Sequence, residues 1–214
     1  MRQRDYIERL VPAAEVPTDF RVYAVHPRFG QAPRYTGYTP DDQEERVYFA
    51  QTPIILDTAI RADQARLAPA TVPCTHYGDV RKRCRDCRTW FIFFAEEQRH
   101  WYEQLGFGTE SDCVRCFACR KRTQGLARKR HRYEELFHAP HRSEAETIEM
   151  AECCLELLEA SVFGSRQPGH VRALLNQVAR GDERSARFGE LLARVEAIEA
   201  KATQAIEAKR TPEP

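Results

Sequence analysis

The sequence predicts a mixed α+β chain: a small core of strand and helix, with an extended arm before it and an all-α tail behind it. Three observations predict this. Two CxxC pairs, Cys84/Cys87 and Cys116/Cys119, stand 28 residues apart. The aromatic and β-branched run "RTWFIFF" follows the first pair directly and reads as a strand. Everything beyond Pro140 reads as helix. Residues 1–80 are therefore expected to form the arm and short elements, residues 81–137 the core module and residues 141–214 the helical tail.

The arm is dense in proline, arginine, tyrosine and glycine, above all in "VHPRFGQAPRYTGYTPDD". Pro12, Pro17, Pro27, Pro33 and Pro40, with Gly30 and Gly37, break any regular period. Disordered leaders are usually poorer in aromatics, so a docked arm held by Phe29, Tyr35 and Tyr38 is preferred. The next stretch, "DDQEERVYFAQTPIILDTAIRADQARLAPA", suggests a short strand or helix around Val47–Ala50. Asp57 reads there as the N-cap of a helical turn running to Leu67, with Pro69 beyond it.

In the module, "AEEQRHWYEQL" follows the strand as a helix, with Glu96 and Glu97 favourably placed in its first turn and Gly106 as its C′ residue. Phe94, Trp101 and Leu105 fall on one face at helical spacing, with Tyr102 beside them, and are expected in the core. A second helix is expected after Cys119, running to Pro140. In the tail, Ser143 and Glu146 form a capping-box pattern at the start of "SEAETIEMAECCLELLEASVF". Pro168 suits the first helical position of "PGHVRALLNQVAR", and Gly181 its end. In the last helix Phe188, Leu191, Val195, Ile198 and Ala202 share a seam, better suited to a packed bundle than to a self-associating coiled coil. The oligomeric state is left open.

Composition bounds what such a chain can do. Its 214 residues make one sizeable domain or two small ones, and 30% of them are charged. No apolar run reaches the roughly 18 residues of a membrane span, and the N-terminal stretch lacks the apolar core of a secretory signal. A cytoplasmic protein with no membrane partner is expected. The net charge of +1 hides a strong asymmetry: residues 1–80 carry 9 basic and 11 acidic side chains, residues 81–133 carry 14 and 6, and residues 134–214 carry 10 and 15. A basic middle of this kind suits a polyanion.

Eight cysteines without a secretory signal point to metal rather than disulfides, and five of them crowd between positions 84 and 119. A CxxC turn brings two thiolates to one ion, and two such turns close a tetrahedral zinc site. Four thiolates leave no position for a reactive water, so one structural Zn2+ is expected. Cys113 offers a competing pair with Cys116. In a treble-clef or zinc-ribbon core the first pair lies on a turn and the second on the first turn of a helix. The better helix former follows Cys119, where the helix N-terminus favours thiolates, so Cys116/Cys119 is preferred and Cys113 is a neighbouring spare. Cys74 and His76, in "VPCTHYGD", lack a second pair and read as packing residues. Cys153 and Cys154 sit side by side in a helix, pointing about 100° apart, and read as core filler.

The segments "CRDCRTWFIFFAEEQRHWYEQLGF" and "CFACRKR" together resemble the bacterial probable zinc-ribbon domain of treble-clef type. Its pattern is carried here by Cys84, Cys87, Phe91, Phe93, Glu97, Gln98, Tyr102, Gly106, Phe107, Cys116, Cys119 and Arg120. The resemblance covers about residues 81–122; the preceding "HPRFGQAPRYTG" is similar to an arm found before the domain in longer members. It implies metal ligands at Cys84, Cys87, Cys116 and Cys119, requires no cysteine at position 113, and implies no particular activity.

Behind the second pair, Lys121, Arg122, Arg128, Lys129, Arg130 and Arg132 offer a phosphate-contacting face on a helix. Trp90 and Phe117 would add base stacking if exposed. The competing account is internal. A zinc ion with four thiolates carries −2, which Arg83, Arg85, Arg88 and Arg120 can offset, and acids at Glu134, Glu135 and in the tail can pair with the rest. A non-catalytic zinc module contacting nucleic acid is the preferred reading, with a protein-interaction adaptor using the aromatic core surface and helical tail as the alternative. No phosphate loop or GxSxG motif occurs, and His100 and His131 have no metal–carboxylate constellation around them, so no enzyme is expected.

Overall fold

The computed structural model describes residues 15–40, 54–69, 74–164, 168–178 and 186–210. Val47–Ala50, Pro12 and Gly181 lie outside them, as does the side chain of Ala202. The chain divides into two compact units, Met1–Lys121 and Arg122–Pro214.

In the N-terminal unit the arm is held by backbone bonds and rings. Asp19 caps a 3-10 turn, Phe20–Val22, by accepting the Arg21 N–H at 2.9 Å. Beyond it the Ala24 N–H donates to the Trp90 carbonyl at 2.7 Å, and His26 and Gly30 exchange two bonds in a tight turn that Gly30 closes at φ 81°. Phe29 packs on His26 and Phe94, with ring centroids 4.7 and 5.1 Å away, and so holds the arm as expected. Tyr35 does not: it is 68% exposed, and the anchoring at this point comes from the Thr36 and Gly37 N–H groups on the Asp57 carbonyl.

Asp57 is not a helix cap. It sits at φ 60° and its N–H donates to the Thr39 hydroxyl oxygen at 2.8 Å. The helical turn is only Gln64–Arg66, capped by Asp63. Ile60–Arg61 (β1) is drawn instead into antiparallel pairing with His76–Tyr77 (β2), a long-range partner that local sequence cannot announce. A second hairpin pairs Val80–Arg83 (β3) with Trp90–Phe93 (β4), in the register Val80 to Phe93 and Arg83 to Trp90. Residues 84–89 form its turn.

Helix α1, Ala95–Arg99, runs into a π-helical turn, His100–Gln104, and Gly106 ends it at φ 68°. The wider turn inserts an extra residue and rotates the following face. Tyr102 is fully buried as expected, whereas Leu105, expected in the core, is 52% exposed. Phe94 is buried as expected and Trp101 only partly so, while Phe91 and Phe93 of β4 are buried beside them.

Helix α2, Phe117–His138, begins in this unit and continues in the next. In the C-terminal unit α3 is Glu144–Glu159, α4 is Pro168–Gln177 and α5 is Ala186–Arg210. The capping box at Ser143 and Glu146 has both reciprocal bonds. Deleting a cap of this type costs about 1 kcal/mol. Phe188, Leu191 and Val195 bury their seam against Met150, Leu157, Val171 and Leu174 of the same chain, with Ile198 partly buried beside them. Cys153 and Cys154 are filler in that core. No described helix is long and apolar enough to cross a membrane.

Candidate metal centre

The first CxxC occupies the turn between β3 and β4. Its shape comes from backbone bonds: the Cys84 N–H donates to the Thr89 carbonyl at 2.9 Å and the Arg88 N–H to the Cys84 carbonyl at 3.0 Å. Arg88 takes a left-handed φ of 61° to close it. The second CxxC straddles the start of α2, where the Arg120 N–H donates to the Cys116 carbonyl at 3.0 Å and opens the helical ladder.

These two turns bring four sulfurs together. The Sγ atoms of Cys84, Cys87, Cys116 and Cys119 all lie within 4.8 Å of one another, and the Cys87–Cys116 separation is 3.8 Å. A tetrahedron of thiolates at about 2.3 Å from zinc has edges of about 3.8 Å, so the donor set fits the ion. Three of the sulfurs are buried and Cys87 is exposed. Four thiolates at this spacing repel one another. Burial is outweighed at Cys87 by hydrogen bonds from Thr89 and the neighbouring thiols, which bring it down to about 6. Burial and the other three cysteines push Cys119 up to about 12. A divalent cation removes that repulsion, which is why metal binding and ionisation of the set are one event.

Cys113 stands apart from the four. Its thiol donates to the Arg115 carbonyl at 3.3 Å, and burial pushes it up to about 12, so it stays a neutral thiol in the packing. Cys74 and His76 are both buried, and the Cys74 thiol donates to the His76 carbonyl at 3.2 Å. Among the described residues neither joins a metal-ligating cluster.

The remaining motif residues position the two turns. The Gln98 side-chain amide donates to the Gly78 and Phe93 carbonyls, 2.6 and 2.9 Å away, fixing α1 across the hairpin. The Tyr102 hydroxyl donates to the Ser111 carbonyl at 2.8 Å and so ties down the approach to the second CxxC. Buried Glu97 receives Arg120 and lies 3.4 Å from His26, while Arg120 covers the Trp101 ring at 5.0 Å. Arg120 is thus held by a carboxylate as well as standing beside Cys119.

Two ion pairs that sequence reading missed brace the same loops: Lys82 with Asp112, and Arg115 with Asp86 at 2.8 Å. Their acids and bases sit about 30 positions apart, with no local pattern to join them. Asp79 was missed for the same reason. It has no exposed surface and accepts the Ala95 N–H at 2.7 Å, capping α1, and the Arg34 N–H at 2.8 Å, fixing the arm.

The basic run of α2 is only partly free. Lys129 pairs with Glu156, Arg130 with Glu134 at 2.9 Å, and Arg132 with Glu149 at 2.8 Å and Glu135 at 3.3 Å. Lys121, Arg122 and Arg128 are exposed, and no ion pair among the described residues engages them. Trp90 and Phe117 are half-buried, Trp90 against Tyr23 and Phe117 edge-on to His26 at 4.8 Å.

Fold and centre together define a treble-clef module, mixed α+β, holding one structural zinc ion on four cysteines. The family comparison agrees: residues 78–129 match the model of a probable treble clef domain. No curated protein and no solved structure matches the chain.

Proposed function

We propose that the chain is a non-catalytic zinc module that contacts nucleic acid through helix cations that no acid among the described residues pairs. The observation that carries this reading is the selective pairing of the basic helix. Acids neutralise Lys129, Arg130 and Arg132, whereas Lys121, Arg122 and Arg128 stay exposed with no ion pair among the described residues. The unpaired cations are suited to phosphate, whose neutralisation releases counterions from the nucleic acid. A closed four-thiolate centre, with no position for a substrate, supports a role without chemistry at the metal. The adaptor reading has less behind it: Phe91, Phe93 and Phe94 of the aromatic core are at most 3% exposed, and what remains at the surface is Phe107 and Phe137.

Fluorescence anisotropy of a labelled oligonucleotide over a salt series tests this. Affinity is expected to fall steeply with salt, by a slope of roughly 0.7 to 0.9 per phosphate contacted. Arg122→Glu with Arg128→Glu should weaken binding and flatten the slope, whereas Arg130→Glu, whose cation is already paired, should change it far less. Absence of binding at low salt, or binding indifferent to salt, overturns the reading.

A further inference from the structure

The CxxC turn of the N-terminal unit carries cations of its own. Arg83, Arg85 and Arg88 surround Cys84 and Cys87, and all three are exposed. The turn that presents them is fixed by the Cys84 and Arg88 backbone bonds, and by the Arg83 Nε–H donating to the Arg88 carbonyl at 3.1 Å. Lys121, exposed two residues beyond Cys119, stands over the Phe117 ring at 5.5 Å.

The acids around the centre are already engaged. Asp112 takes Lys82, Glu97 takes Arg120, and Asp86 takes Arg115 at 2.8 Å, leaving Arg85 a looser approach of 3.8 Å. The −2 of a zinc tetrathiolate attracts the remaining cations, yet their exposed heads keep most of their hydrogen-bonding capacity toward solvent. Guanidinium forks are suited to phosphate oxygens, which they meet with two parallel bonds. Trp90 and Phe117 are half-buried and engaged by Tyr23 and His26, so the cations rather than the rings carry the contact.

We propose that the zinc knuckle is itself a phosphate-binding surface, with Arg83, Arg85, Arg88 and Lys121 following a nucleic-acid backbone without reading its sequence. This rests on the nucleic-acid reading above and adds a contact on the first CxxC turn to that of the helix. Backbone contacts position a duplex or strand but carry no base information. Oligonucleotides of different sequence are therefore bound alike.

The test pairs binding with metal content, because these arginines have a competing use in offsetting thiolate charge. The full chain is purified with zinc, and Arg85→Glu with Arg88→Glu is compared with Arg122→Glu with Arg128→Glu. The knuckle pair should lower affinity for a mixed-sequence oligonucleotide by at least about tenfold and reduce the salt slope by about two, with one zinc retained per chain. Should the charge reversal displace zinc, Arg85→Gln with Arg88→Gln repeats the comparison, and Arg85→Lys with Arg88→Lys should restore binding. Near-normal oligonucleotide affinity in the knuckle variants, with loss confined to the Arg122/Arg128 pair, overturns this proposal and leaves the nucleic-acid reading standing. So does a neutral pair that loses zinc while affinity per zinc-loaded molecule is unchanged. No binding by the parent chain at low salt overturns both.

Discussion

Asp79 places a carboxylate where no water reaches it. It accepts the N–H groups of Ala95 and Arg34, and its own N–H donates to the Thr58 hydroxyl at 3.0 Å. Burial outweighs these bonds and raises it from 3.8 to about 6. Because the folded-state value lies above the unfolded one, folding takes up a proton between those two values. The side chain's contribution is most favourable at the acid end of that window and is lost as pH rises through about 6. The stability difference between the parent chain and Asp79→Asn should therefore shift in the parent's favour by about 0.8 kcal/mol between about pH 7.5 and about pH 5.5. Taking the difference cancels the pH dependence of the metal site, which both proteins share. Urea denaturation at the two pH values measures it; a constant gap would mean that this carboxylate ionises as it does in water.

At the scale of elements, the two ends of α3 contrast in how far sequence announces them. Its start is legible, because Ser143 and Glu146 sit three residues apart and meet through local bonds. Its end is not. Ser161 adopts φ 57°, with its N–H on the Leu158 carbonyl at 2.9 Å and that of Val162 on the Leu157 carbonyl at 2.8 Å. That is a Schellman closure with serine where glycine is preferred. Ser161→Gly should stabilise the C-terminal unit by about 0.5 to 1 kcal/mol, since Ser161 is exposed and a left-handed serine is strained. A thermal scan showing destabilisation would sink that account. The same contrast runs through the metal centre. The four ligands, the aromatic strand and the Arg120 position follow local spacing and were readable. β3, with its basic "VRKR", was not, because only one of its four residues is buried and it lacks an apolar alternation. The Asp57 and Leu105 positions were misread where a distant strand and a π turn overrode local periodicity.

At the scale of the molecule, charge and core are distributed differently in the two units. In the C-terminal unit Lys129, Arg132, Arg172, Arg187 and Arg194 each pair with a glutamate on a neighbouring helix, so the acidic tail consumes part of the basic surplus. Partly exposed pairs of this kind contribute roughly 0 to 1 kcal/mol each, so the apolar interior is what holds that bundle. Among the described residues the N-terminal unit has no comparable interior. Most of its buried apolar residues there fall into three small clusters, and in one of them Cys84, Cys116 and Cys119 are themselves part of the packing with Val80, Phe91 and Phe93. Structural zinc sites contribute on the order of 10 kcal/mol or more at neutral pH, comparable to the whole stability of a typical domain. Chelation of the metal, or Cys84→Ser, should therefore unfold the N-terminal unit while leaving most helical ellipticity, because α3, α4 and α5 all belong to the other unit. Calorimetry should then show a metal-dependent transition lost and a metal-independent one kept. Cys113→Ala, which removes only a buried neutral thiol, should lower stability modestly and retain one zinc per chain. A single transition indifferent to chelator, or loss of zinc in the Cys113 variant, would remove the assignment of the centre to Cys84, Cys87, Cys116 and Cys119.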